Sequence, residues 1–442
     1  MNRLLSAAVL AASALVLGGC DDDDPARSSL RVIHASPDAP RVNVRVNDNA
    51  VLSAVDYKEG SGFIPVDQGS YDIAVDAITP TGTPTVIDVQ DTTLLGGREY
   101  TVLAVGKVAN GTLEPLVIEN LKSAVPAGEV RVEVVHASPD APAVDVYVTA
   151  PAAPLGSPLG SFSFGGTLGP VEVPAGEYRI RVTPAASTSV VYDSGPVTLP
   201  AGGDLLVAAV TSAVAGGSPI SLLVNDGDSQ AELLDTAQAR ADVRVAHLSP
   251  DTPAVDVVVD DDFANPAFDG ATFPGVTGYA ALPPGTYNFK VVDDATQSLT
   301  AIDATLPLAS GSSTTVAAVN LFASVEPLVL TDRRRSIATE AQVRIVHASP
   351  SAGPVDIYVT APGADIATLA PSFANVPFKA DTGFVSLAPG DYQVRVTPTG
   401  TKAVAINATT TFAAGGIYNA FARDAAGGGT PLGVVLVDEL DD

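Results

Sequence analysis

Every histidine of the chain, four in 442 residues, stands in one recurring phrase that also carries a serine and, in three copies, an aspartate. The copies hold His34, Ser36 and Asp38; His136, Ser138 and Asp140; His247, Ser249 and Asp251; and His347 and Ser349, with Ser351 in the aspartate's place. Hydroxyl, imidazole and carboxylate are the parts of a hydrolase triad, with serine as nucleophile, histidine as base and aspartate as orienter. The spacing opposes that reading. Ser138 lies two residues from His136 and precedes Pro139, which suits a hydroxyl that caps a turn rather than one presented to a substrate. The carboxylate also fails where it is needed, because Ser351 replaces Asp140 in the fourth copy and Asn43 replaces the alternative Asp145 in the first. No Gly-x-Ser-x-Gly elbow is present. One histidine in about 100 residues does not make a zinc site, which takes three or four ligands. The phrase is therefore expected to be structural, with no catalytic residue, no metal ligand and no cofactor.

The elements that position it repeat with the same period. The residues two before each histidine are Val32, Val134, Val245 and Ile345, and those three before are Arg31, Glu133, Arg244 and Arg344. Strand parity thus puts the histidine on the apolar, inward face, at the end of a first strand. Burial there disfavours the charged imidazole, and a neutral ring with one nitrogen held by the turn backbone or the nearby Asp is expected. A second alternating strand follows, Val144-Asp-Val-Tyr-Val148 and its counterparts from Val42, Val255 and Val355. A glycine then opens a third alternating run containing Tyr71, Tyr178, Tyr287 or Tyr392, whose inward parity after a turn predicts a core ring with its hydroxyl tied to backbone, as in a tyrosine corner. Further strands repeat near Tyr100–Val105 and Pro115–Ile118, giving six or seven short strands and no convincing helix per copy. The fold class expected is all-β: four tandem antiparallel β-sandwich, Ig-like in architecture, modules at 29–124, 128–227, 240–332 and 341–440, in a string that end to end would reach on the order of 100 to 150 Å. In the longest linker, Ser229-Gln-Ala-Glu232 fits a capping box opening a short helix, so the modules group two and two; Arg333-Arg-Arg335 reads as a solvated linker.

The phrase Val-His-Ala-Ser-Pro-Asp-Ala-Pro-x-Val-Asp-Val, clearest at Val135 to Val146, joined to the Gly-x-Tyr strand, resembles the bacterial domain-of-unknown-function family 4397, with matching motifs in all four copies. The resemblance implies a secreted or envelope-anchored β domain and lends no catalytic residue.

At the N-terminus, Arg3, the apolar run Leu4 to Leu17 and Leu17-Gly-Gly-Cys20 read as a lipoprotein signal over residues 1–19, with Cys20, the only cysteine, as the lipidated residue and 20–28 as an acidic tether. Acyl chains at about 0.8 kcal/mol per buried methylene would hold the chain at the cell envelope, on the periplasmic face of the inner membrane or at the outer membrane. The net charge of −27, from 50 acidic and 23 basic residues, repels phosphate backbones and argues against nucleic acid. The runs Asp21–Asp24 and Asp260–Asp262 lack the spacing of a calcium loop. The function expected is a structural, spacer or binding role without catalysis, with an envelope protein or glycan as partner, read in the unequal loops 151–167, 260–276 and 362–382. The rival readings are an envelope hydrolase or ligand-binding enzyme with a site between modules, and a calcium-rigidified adhesin.

Overall fold

The computed structural model describes residues 27–440; Cys20, the signal segment and most of the acidic tether lie outside them. Among the described residues all regular structure is strand, apart from one 3-10 turn at Phe322–Ser324. The first repeat shows the plan, with β1 (Arg27–His34), β2 (Val42–Val46), β3 (Asn49–Val55), β4 (Ile64–Asp67), β5 (Gly69–Ala77), β6 (Thr85–Leu94), β7 (Arg98–Val105) and β8 (Glu114–Leu121). These form two sheets, ordered β4-β1-β7-β8 and β3-β2-β5-β6. Alternation does the sorting: Val42, Val44 and Val46 point inward from β2 against Leu30, Val32, Val75 and Val102. Each such side chain, fully buried, contributes about 1.5 to 3 kcal/mol relative to exposure. The other three histidine phrases open the same paired sheets, and each pair encloses its own apolar core.

One pairing departs from the all-antiparallel expectation. The first strand runs parallel to the seventh, His34 beside Ala104, and the same holds for His136 with Ala209, His247 with Ala318 and His347 with Ala422. The chain leaves β1 through the histidine phrase to the facing sheet, returns as β4 to one side of β1, crosses again, and reaches β1's other side only as β7, after five intervening strands, entering in β1's own direction.

The chain forms two compact units, one holding the first two sandwiches and the other, from Gln238 onward with Ala213–Gly217 added, the last two. Within each unit the sandwiches do not follow one another end to end. They pack through the outer faces of their first sheets, and the first strands are consequently buried on both sides. In the second unit Ala246, Leu248, Val319 and Leu330 of one sandwich and Val346, Ala348 and Phe421 of the other form a separate apolar core between them. Arg31, Glu133, Arg244 and Arg344, the polar parity of the first strand, lie in these junctions with 0 to 5% exposure.

Both linker expectations are corrected here, the second in part. Gln230–Leu233 is a strand, not a helix, and adds a fifth member to the sheet beside Ile220–Asn225. Asp226 holds the preceding turn through the Ser229 amide (2.6 Å) and hydroxyl (2.8 Å), and Glu232 is drawn from a helix-capping position to Ser221 Oγ (2.6 Å) and Lys58 (2.5 Å). Arg333 is exposed, as expected of a solvated linker, but Arg334 is half-buried: it stacks on the Tyr279 ring at 4.6 Å and donates to the Glu439 carbonyl at 3.2 Å.

Candidate functional site

Each phrase histidine is the last residue of its first strand, with 1 to 2% of its surface exposed. Its Nε2 lies 3.0 Å from the carbonyl oxygen six residues on, that of Pro40, Pro142, Pro253 or Gly353. A carbonyl only accepts, so Nε2 carries the proton. On the other side the amides of Ser36 and Ser138 (3.4 Å) and Ser349 (3.3 Å) point at Nδ1, which must then be bare; Nδ1 of His247 has no partner. In those three copies the ring is thereby held neutral, as Nε2–H. Burial also holds the imidazoles of His247 and His347 below the usual histidine range. An aromatic edge closes each ring: Tyr57, Phe164, Phe273 or Phe378, with centroids 6.1 to 6.5 Å away.

The serines and aspartates are present but not assembled as a triad. Ser36 Oγ donates to the Gly106 carbonyl (2.8 Å), Ser138 Oγ pairs with Thr211 Oγ1 (2.8 Å) and Ser249 Oγ with Thr252 Oγ1 (2.5 Å). Asp38 accepts the amides of Val108 (2.8 Å) and Ala109 (3.0 Å), Asp251 that of Phe322 (2.7 Å), and Asp140 pairs with Lys107 of the neighbouring sandwich (2.9 Å). Apart from Thr252, which lies in the phrase itself, these partners sit at or beyond the end of the parallel seventh strand or its counterpart, so the phrase laces that end down. In these contacts no carboxylate orients an imidazole and no imidazole addresses a hydroxyl. The fourth copy explains its lost aspartate. There the carboxylate stands on the opposite loop, where buried Asp424 accepts hydrogen bonds from Ser349 and Ser351 (2.9 Å to the latter) and from the Gly429 amide (3.0 Å). The same lacing is made with donor and acceptor exchanged.

Two further residue sets complete the framework. Tyr71, Tyr178, Tyr287 and Tyr392 each donate to the carbonyl four residues earlier at 2.7 to 2.9 Å, the tyrosine-corner arrangement, with rings packed against the core yet half-exposed rather than fully inside. Asp145, Asp256 and Asp356 of the second strand accept hydrogen bonds from both flanks: Asp145 from Ser161 Oγ and the Ala186 amide (2.9 Å), Asp256 from the Gly270 amide and Gln297 Nε2, and Asp356 from the amides of Asn375 (2.8 Å) and Gly400 (2.9 Å). Both of those residues have positive φ, 53° and 77°, so this buried carboxylate stabilises two left-handed turns at once. Asn43 does half of the job, accepting the amide of left-handed Ala54 at 3.0 Å. By sequence Asp145 reads only as a triad member, and its place between two turn signals is the clue to the bracing role.

In the third sandwich Asp256, Asp269 and Asp294 bring carboxylate oxygens within 4.8 Å of one another, a grouping the sequence did not suggest. The buried member, Asp256, is already committed to the Gly270 amide (2.9 Å) and Gln297 Nε2 (2.7 Å), and burial together with the Asp256 charge raises the Asp294 carboxyl above its usual range.

The repeated geometry coincides with a known sequence family. The profile of the family described as Domain of unknown function (DUF4397) matches residues 28–147 and 241–358, together more than half of the chain. The chain belongs to the DUF4397 family. Each DUF4397 match begins in the first strand of one sandwich and ends in the second strand of the next, so it spans the junction inside a unit. No curated protein matches the chain. Among solved structures, the Bacillus anthracis TIE protein is similar at 11% identity and a TM-score of 0.17 over 90% of this chain and 68% of its own. A family 26 carbohydrate-binding module of Eubacterium rectale Amy13K, in complex with maltoheptaose, gives 11% and 0.16 over 46% and 98%. Family 41 carbohydrate-binding modules from streptococcal virulence factors give 13% and 0.17 over 44% and 96%. At such TM-scores the glucans named there remain ligands of those proteins.

Proposed function

We propose that this DUF4397 protein is a lipid-anchored cell-envelope protein with a structural, spacer or binding role and no catalysis. The observation that carries the reading is the bond from each of the four histidine Nε2 atoms to a carbonyl six residues on. The groups that would make a hydrolase are thus consumed by the scaffold in every copy, which also counts against the enzyme alternative. Cys20 is the attachment point, its thioether and amino-terminal acyl chains holding the chain to the periplasmic face of the inner membrane or to the outer membrane. What the protein recognises, an envelope protein or a glycan, is read by the loops in which the copies differ. Metabolic labelling with an alkyne fatty acid in cells tests the anchor. Label and membrane fractionation are expected for the native chain, and both are lost in Cys20→Ala; label retained by C20A would refute attachment at that residue.

A further inference from the structure

The core of the second sandwich is not full. Between its sheets lies a cavity of about 140 Å³ with an almost wholly hydrocarbon wall, including Val134, Val146, Val182 and Leu222. Its lining continues to half-buried Val148, Val173 and Tyr178 and to exposed Leu159, which puts the entrance at that side. The polar side chains that reach it, His136 and Tyr178, have their donors committed to the Pro142 and Pro174 carbonyls. A buried water needs two to four polar partners, and this wall offers it no free donor; cavities of about this size lined by aliphatic and aromatic side chains stay dry and accept benzene.

Sister sandwiches show why the space exists. The cavity is lined by Ile180 and Leu199. Phe289 takes the register position of Ile180 in the third sandwich, four residues after the strand-opening glycine, and Phe412 takes that of Leu199 in the fourth, paired with that glycine. Both phenylalanines are buried in their cores. The first sandwich keeps Ile73 and Leu94 at these positions but has Tyr100 where the second has Leu205, and its cavity is only about 30 Å³. The second sandwich alone lacks a ring at all three positions.

We infer that the second sandwich is a binding site for a small hydrocarbon group of about benzene's size, without hydrogen-bonding substituents, free or as the end of an acyl chain. Melting of the full chain with benzene tests this, with Leu199→Phe, copied from Phe412, as the filled cavity. At ten-fold excess over Kd, benzene is expected to raise Tm by about 3 to 6 °C. In L199F the rise disappears while the variant melts no lower than the native chain. Should L199F misfold, Ile180→Phe, copied from Phe289, serves the same purpose. No rise with benzene, or an equal rise in the filled variant, would overturn the inference. Competition of octanoate with benzene assigns the acyl-chain source, and benzene binding that octanoate leaves unchanged assigns the free hydrocarbon.

Discussion

A buried imidazole with a carbonyl at one nitrogen and an amide at the other is a cross-brace, and its chemistry is conditional on staying neutral. Protonating Nδ1 of His347 would set a donor against the Ser349 amide, and removing the ring would leave a buried carbonyl unpaired at about 1 to 3 kcal/mol. The pH consequence follows from the lowered pKa of His247 and His347. In the unfolded chain these rings take a proton near pH 6.5, earlier than in the folded one. Their contribution is therefore fully present above about pH 6.5 and is lost progressively as pH falls from that value through the lower pKa of the folded chain. Tm is expected to fall between pH 7.5 and 5.5, and to fall less steeply in the double variant His247→Gln, His347→Gln; equal slopes in calorimetry would contradict this. Comparing the two chains cancels other titrating groups, Glu439 among them, whose carboxyl burial raises. At this scale the inward histidine and the tyrosine corner were legible, because parity and a preceding turn are local. The aromatic edge on each histidine was not, since its residue stands 23 to 31 positions downstream at no fixed spacing.

Strands carry the pairing of sandwiches. Parity placed Arg31, Arg244 and Arg344 away from the core correctly, but away from the core is not into water. The clue lay in their neighbours: Ile33 and Ala35, Ala246 and Leu248, Val346 and Ala348 share that outer face and are fully buried, and apolar residues on both faces mark a strand covered twice. The Ser229 capping box failed for a related reason, because a free sheet edge beside Asn225 outweighs a local helix signal. In the second unit the junction is ionic as well as apolar. Arg244 pairs with Glu439, and Arg344 with Asp332, all almost without exposure; the Tyr279 hydroxyl lies 2.6 Å from Glu439 and 2.7 Å from Asp332, and its one proton serves either carboxylate. Removing one partner of such a pair typically costs about 3 to 5 kcal/mol, whereas replacing both by apolar groups is close to neutral. Glu439→Ala is expected to destabilise by that amount in denaturant unfolding, and Arg244→Met with Glu439→Leu to recover most of it. A loss below about 1 kcal/mol in E439A would show that the junction does not depend on the pair.

Over the whole chain, repetition separates scaffold from specificity. Residues present in every copy, the histidines, phrase serines and tyrosines, all serve the fold, and substitutions among copies, such as Ser351 with Asp424, preserve the bond while moving the carboxylate to the facing loop. Copy-specific features lie elsewhere: the hydrocarbon cavity of the second sandwich, the carboxylate group of the third and the unequal loops. The two-and-two grouping was readable from linker length, while the side-by-side packing within a unit was not, because it depends on faces that meet across more than 100 residues. The central claim is that one phrase, written four times, performs one structural task and no acid–base chemistry. Nitrogen-15 NMR of the four imidazoles in the intact chain at pH 7 tests it most directly. The account predicts four neutral rings, each with its proton on Nε2 and slow to exchange; a ring protonated on Nδ1, or one that exchanges freely with solvent, would contradict it.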